Sequence, residues 1–180
     1  MTFRILHYDT VDSTNNLARA LAERGAREGT VIVADYQTHG RGRFQRRWYS
    51  PRGAGLLFSI ILRPRFQSSK ASILTHVAAQ AVRETLEKQF GLQARLKKPN
   101  DVVVGGKKIA GVLAEASGQQ RTLSYVVIGI GLNVNTKAKD LLQTATSMYV
   151  ETAGRLELHS ILNSVLGIFG RMYVGIIAHH

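Results

Sequence analysis

Hydrophobic positions recur along this chain with two periods, and the changes of period mark its elements. Phe3 to Tyr8 reads as a strand. Leu17, Ala18, Leu21 and Ala22 then fall on one helical stripe, behind Asp12-Ser13-Thr14-Asn15, whose short polar side chains suit an N-cap, and ahead of Gly25 as a stop. Thr30 to Ala34 is a short β-rich run, Gln37 to Arg47 a polar, basic loop, and Gly55 to Leu62 an apolar run of buried-strand length. A second helix is expected over Ser69 to Phe90, with Leu74, Ala78, Ala81, Val82 and Leu86 on one side and Gly91 past its end. Leu92 to Lys97 is a further strand. Val102-Val103-Val104, the turn Gly105-Gly106 and Lys107 to Glu115 form a hairpin, and Thr122 to Ile130 is another strand. Leu156 to about Tyr173 is helical, with Ile161, Val165, Ile168 and Met172 on one stripe. The order predicts an α+β fold, a mixed sheet flanked by helices, with the helices on one side. Strands and helices do not alternate strictly enough for a Rossmann fold.

The 180 residues suit a single domain over 1–180, and a hydrophobic content of 44% is enough for a sizeable core. The absence of cysteine excludes a disulfide framework, a thiolate zinc site and a cysteine nucleophile. The longest apolar stretch, Gly53 to Leu62, is short of the ~20 residues a membrane span needs. The first residues form no signal peptide, so a cytoplasmic location and no membrane partner are expected. Charge is lopsided: 24 Lys and Arg against 12 Asp and Glu give +12. No Asp or Glu occurs from Tyr36 to Arg83, a window that holds Arg41, Arg43, Arg46, Arg47, Arg52, Arg63, Arg65, Lys70 and Arg83. A field of one sign attracts nucleotide phosphates, nucleic acid or an acidic protein.

Three segments carry candidate chemistry. In Gly40-Arg41-Gly42-Arg43, glycines let the backbone approach a ligand and arginines grip phosphate or carboxylate with paired donors. Its arginines have no obvious partners, so a loop from Thr38 to Arg47 that orders on binding an anion is expected. In Lys98-Pro99-Asn100-Asp101, the carboxylate is a candidate contact for Mg²⁺ or an amine, and Lys108 follows in the hairpin's second strand. Strand alternation alone leaves Lys108 facing either side. Asp12-Ser13-Thr14-Asn15 caps a helix and thereby gathers donors at its start. The chain has no Gly-x-x-x-x-Gly-Lys-Ser/Thr phosphate loop, no Gly-x-Ser-x-Gly, and a Gly129-Ile130-Gly131 that lacks a third glycine. His7, His39, His76, His159, His179 and His180 show no metal-ligand spacing.

Taken together and in order, these segments resemble the catalytic domain of biotin–protein ligases. The resemblance rests on Asp12-Ser13-Thr14-Asn15, Gln37 to Arg43, Trp48-Tyr49-Ser50-Pro51, Lys98 to Asp101, Lys108 to Glu115 and Gly129 to Asn135. It implies a sheet related to class II aminoacyl-tRNA synthetases and lipoate ligases. It also implies ATP-dependent conversion of biotin to biotinyl-5′-AMP, then transfer to a lysine of a biotin carboxyl carrier protein, with Mg²⁺. By resemblance Lys108, Arg43 and Asp101 are catalytic. Ser13, Thr14, Asn15, Gln37, Arg41, Gly42, Arg43, Lys108 and Gly111 face biotin. Gly40, Arg41, Arg43, Trp48, Asn100, Lys108 and Asn133 face the nucleotide.

Three departures stand out. Lys98 replaces the usual tryptophan before Pro-Asn-Asp, and Gln45 stands where a glycine is common. The chain also ends after the final helix, so neither an N-terminal winged helix nor a C-terminal SH3-like barrel is expected, and with them no DNA partner. A homodimer through the sheets is implied by resemblance alone. The competing functions are a lipoate or octanoate ligase or transferase on the same scaffold, a catalytically inactive biotin-binding relative, and a basic nucleic-acid-binding module. The last explains the charge but not the ordered polar motifs. The arginines outside the loop, Arg52, Arg63 and Arg65, are expected to steer docking of an acidic partner.

Overall fold

A computed structural model describes residues 1–65, 71–119 and 122–178. Its seven strands are β1 (Arg4–Val11), β2 (Thr30–Gln37), β3 (Gly55–Leu62), β4 (Ala94–Lys97), β5 (Asp101–Val104), β6 (Lys107–Gln119) and β7 (Thr122–Asn133). They form one sheet in the order β1-β2-β3-β7-β6-β5-β4. Only β1 and β2 run parallel; the other pairs are antiparallel. The helices are α1 (Thr14–Glu23), α2 (Ser72–Phe90), α3 (Met148–Thr152) and α4 (Leu158–Ala178). Ser69 and Lys70, in and beside the expected start of α2, lie outside the described residues, as do His179 and His180.

Antiparallel partners point to the same side of a sheet, so the register assigns the two faces. Leu56, Phe58, Ile60, Leu62, Val126, Ile128 and Ile130 face α2 and α4, and form the main core with Leu74, Val82, Leu86, Val165 and Phe169. Ile32, Ile61, Tyr125 and Val127 face the other way, against Ala18 and Ala22 of α1. Helices therefore cover both sides, not one. The sequence pattern hides this because β3 is apolar at every position but Ser59 and buried throughout, as strands covered on both faces are.

Gly91, with φ 65°, ends α2 in the left-handed region, as its position predicts. α4 is long and apolar enough to cross a membrane by length and composition, with a mean hydropathy of 1.6, which a search for uninterrupted apolar runs does not detect. Here its apolar side lies on α2 and the sheet. Tyr173 of α4 donates to Glu28 Oε1 at 2.6 Å, and Arg63 N–H donates to the same oxygen at 2.9 Å. Burial, then this carboxylate, holds the phenol far above its usual pKa, so the donor is present at all ordinary pH.

Arg63 does not project into solvent as a steering charge. Its guanidinium caps the end of α1, donating to Ala22 O and Ala26 O, and reaches Ser124 O. Arg52 is likewise engaged, by Asp9 and Thr10 and over the Tyr36 ring. Only Arg65 of that trio is exposed with no partner among the described residues.

On the α1 face the centre of the sheet is stripped of side chains. A Cβ on Gly129 would fall 2.0 Å from Asn15 Oδ1, and one on Gly131 would fall 2.5 Å from the Trp48 ring. Overpacking of this kind typically costs about 1–3 kcal/mol. Gly129→Ala is expected to lose about that much stability in urea unfolding, because Asn15 is held by partners on three sides and cannot give way. A loss below a few tenths of a kcal/mol would show that Asn15 is not fixed there.

Candidate active site

The glycine-floored face is walled at one end by a polar row. α1 starts beside the ends of β1 and β2, where Asp12 accepts from Ser13 N at 2.6 Å and from the Asn16 amide. Ser13 is the N-cap and is buried, but its hydroxyl makes no capping bond. Gln37, the last residue of β2, accepts from Thr14 N at 2.7 Å, and Thr14 Oγ1 lies 3.1 Å from the same oxygen. Ser59 on β3, fully buried, places Oγ 2.8 Å from Thr14 Oγ1 and 2.6 Å from Asn15 Oδ1. The Asn15 amide N–H donates to Glu115 Oε2 at 2.8 Å.

Both amides in this row are oriented by their partners. The Thr14 N–H fixes Gln37 Oε1, and the Glu115 carboxylate fixes the Asn15 nitrogen. Three oxygen–oxygen contacts then share two hydroxyl protons, those of Thr14 and Ser59. The row is one donor short, so it suits a ligand that brings N–H groups.

At the other end stand Lys108, Asp101 and Trp48. Asp101 is paired with Gly111 and Val102 with Ala110, but Val103 is paired with Lys108, leaving Ile109 as an extra residue. This β-bulge turns Lys108 to the side of Gly111, where simple alternation would put it on the opposite one. The ammonium lies 2.7 Å from Asp101 Oδ1 and 5.4 Å from the centre of the Trp48 ring, and it approaches the position of a Gly111 Cβ to 3.1 Å. The contact with Asp101 is an ion pair by distance, yet Oδ1 receives no hydrogen bond of acceptable angle. Trp48 Nε1 is also buried without a partner. Buried polar groups are normally satisfied, so both atoms are open to a polar ligand.

Backbone bonds hold the bulge in place. Where β7 has ended, residues 144–146 run beside Lys108, with Lys108 N donating to Thr144 O and Thr146 N to Lys108 O. Asn133 donates its amide to Thr146 O at 3.0 Å. Expected at the nucleotide, it is buried and tied to this strap. Asn100 is tied to β6, donating to Val112 O at 2.7 Å and accepting at its carbonyl from Val112 N. Lys98 is exposed at the turn before it.

The basic loop crosses above. Gly40 has no room for a side chain, since a Cβ would fall 2.4 Å from Trp48 O. The loop's arginines are not all unpartnered, contrary to the expectation above. Arg41 clasps Glu115 with both terminal nitrogens, at 2.7 and 3.1 Å, and reaches Asn16 Oδ1 at 2.8 Å. Arg47 donates to Thr38 O. Arg43, near the tip, has its guanidinium over the exposed Phe44 ring and no acidic partner among the described residues. Gly42 N donates to Arg46 O and closes the tip. Beneath the loop is a cavity of about 680 Å³, lined by His39 to Arg47 and Leu113. A second cavity of about 660 Å³, between α2 and β4, lies away from these residues.

The structure thus brings together Ser13, Thr14, Asn15 and Gln37 at one end, and Asp101, Lys108, Gly111 and Trp48 at the other, with Gly40, Arg41 and Gly42 overhead. Asn133 and Asn100 support them from beneath. Ser59 and Glu115 are the contributors that motif reading missed. A polar residue at the centre of the apolar run of β3 is the one signal for Ser59. Among the described residues, no group of three or more His, Cys, Asp or Glu is placed to hold a metal, and Asp101 stands alone.

Residues 8–133 match the model of the biotin/lipoate A/B protein ligase family, more than half of the chain. This chain belongs to that family. The family's members include the bifunctional ligase/repressor BirA of Bacillus subtilis, 37% identical over 179 residues, 97% of this chain and 55% of that protein. The biotin–[acetyl-CoA-carboxylase] ligase of Paracoccus denitrificans is 40% identical over 125 residues, 68% of this chain and 51% of that one. The chain therefore spans about half the length of these relatives. Among solved structures, the family's biotin protein ligase from Aquifex aeolicus, in complex with biotin and ATP, superposes with a TM-score of 0.78 and 34% identity, covering 93% of this chain and 69% of that one. The mixed sheet with flanking helices is the family's catalytic fold.

Two non-glycine residues at the loop's tip, Phe44 and Gln45, have φ of 55° and 60°. The left-handed region costs an ordinary residue about 1–2 kcal/mol, offset in part by the greater chain entropy of glycine. Gln45→Gly is therefore expected to stabilise the folded loop by up to about 1 kcal/mol, read as slower tryptic cleavage after Arg43 and Arg46. Faster cleavage would show that the tip does not keep this conformation in solution.

Proposed function

We propose that this domain is the ligase unit of a biotin–protein ligase, which activates biotin with ATP and passes it to a lysine of a biotin carboxyl carrier protein. The observation that carries the reading is the placement of one lysine, Lys108, beside the Asp101 carboxylate and the Trp48 ring on a glycine-floored face, opposite a row of side chains short of a donor. A cyclic urea offers N–H groups to the Gln37–Thr14 end; a dithiolane ring has none. That asymmetry favours biotin over lipoate within the family.

In this reading the biotin carboxylate attacks the α-phosphate of ATP. A new P–O bond forms, the α–β bridging P–O bond breaks, and pyrophosphate leaves. Lys108 approaches both anions, offsets their repulsion and meets the charge that develops in the transition state. Arg43, the loop arginine without an acidic partner among the described residues, supplies a second cation to the phosphates. Trp48 Nε1 is a donor awaiting an acceptor. In the second step the carrier's amine attacks the mixed anhydride, and Asp101 is placed to receive it once Lys108 is drawn to the phosphate. Biotin then forms an amide with the lysine, and AMP leaves. Among the described residues no cluster is placed to hold a metal, so Mg²⁺ would come as the companion of the nucleotide and offset charge on its phosphates. The reaction is placed in the cytoplasm, where ATP is available.

Incubation with biotin, ATP and Mg²⁺ tests the reading by formation of biotinyl-AMP and pyrophosphate. Lys108→Gln is expected to lower adenylate formation roughly 10²- to 10³-fold with little change in melting temperature. Near-normal pyrophosphate release by this variant would overturn the role given to Lys108. Activation of lipoate in preference to biotin would overturn the substrate assignment.

A further inference from the structure

Glu115 stands outside the chemistry just described, yet it is the place where two separate parts of the site meet. It lies on β6 opposite Val127 of β7, on the face toward α1. Its Oε2 accepts from the Asn15 amide at 2.8 Å and from Arg41 at 3.1 Å, and its Oε1 accepts from Arg41 at 2.7 Å. The shared oxygen joins the basic loop to the far end of the polar row. From Arg41 the chain of contacts runs through Glu115, Asn15 and Ser59 to Thr14 and Gln37 without a gap.

Each member of this chain is constrained by the next. The Asn15 amide is oriented by the carboxylate, because a flip would set an oxygen against it. That orientation turns Oδ1 to Ser59 as an acceptor for its hydroxyl proton, and leaves the Thr14 proton to Gln37 or Ser59. The same carboxylate is the bidentate partner of Arg41, and so holds the loop down over the sheet. The Glu115 carboxylate is four-fifths buried, so the exchange of its partners for water is restricted.

We propose that Glu115 is a positioning residue that couples closure of the basic loop to the order of the polar row, so that neither is set alone. The functional side of this rests on the biotin-ligase reading; the coupling itself does not. Filling the Gln37 end with a ligand would tighten the row, hold Asn15 on the carboxylate, and keep Arg41 and its loop seated over the phosphates.

The test reads the loop without any ligand. Tryptic cleavage after Arg43, Arg46 and Arg47 is followed by mass spectrometry in the wild type, Glu115→Gln, Asn15→Ala and the double variant, with melting temperatures recorded alongside. Glu115→Gln is expected to speed cleavage roughly tenfold, the scale of one lost charge-assisted hydrogen bond. Asn15→Ala, which does not touch the loop, is expected to speed it as well, and to add nothing once Glu115 is Gln. Unchanged cleavage in Asn15→Ala, or effects that multiply in the double variant, would overturn the coupling. Should Glu115→Gln fail to fold, Glu115→Asp, too short to serve both partners, replaces it. In the activity assay Glu115→Gln is expected to raise KM for biotin several-fold with kcat little changed; a fall in kcat alone would also overturn the positioning role. A wild type that makes no biotinyl-AMP would remove the ligase reading and leave the coupling to stand or fall on cleavage.

Discussion

At Gly111, Gly129 and Gly131 the middle of the sheet carries no side chain, and a Cβ at any of them would crowd Lys108, Asn15 or Trp48. The rest of the site depends on this missing volume. Strands normally present a side chain to each face at every second residue, which would raise the floor by several ångströms. Here the floor stays at backbone level, so Asn15 can reach across to Glu115 and the Trp48 ring can lie flat. α1 covers only the lower part of that face, against Ile32, Ile61 and Val127. The upper part is left to polar side chains and to the loop.

The net charge of +12 looks at first like one broad basic surface. The structure divides it by use. Arg63 serves backbone carbonyls, Arg52 is held by Asp9, and Arg41 by Glu115. Arg43 lines the cavity beneath the loop, and Lys108 stands at the site paired with Asp101 at 2.7 Å. Guanidinium groups can satisfy several carbonyls at once, and that is why arginine so often ends up as mortar instead of bait.

Much of this was legible in the sequence. The Gly55–Leu62 strand has the same bounds in both, and the Gly105-Gly106 turn joins the expected pair of strands. Stripes on α2 and α4 predicted the main core because a helix buried on one side leaves a 3.6-residue trace. What was not legible depends on partners distant in sequence. α1 sits on its own face of the sheet, and nothing in its periodicity says which. α3 is five residues long, too short to leave a period. Glu115 and Ser59 gain their roles from contacts with residues 100 and 44 positions away. Asn133 and Asn135 look alike in the motif, and both turn out to staple loops, to Thr146 and to Leu156. The side on which Lys108 lies could not be read at all, because the bulge at Ile109 leaves no mark in the local pattern.

That bulge has a consequence for how the hairpin can change. Which face of a sheet a residue occupies is a matter of odd or even count, and parity has no intermediate values. A residue gained or lost between Lys108 and Gly111 would not shift the ammonium by a fraction of an ångström. It would carry it through the sheet to the apolar side, against α2. Length and chemistry are therefore inherited together in this segment. Variation in length is left to the Gly105-Gly106 turn, beyond Lys108, and between Lys108 and Gly111 it must come in compensating pairs.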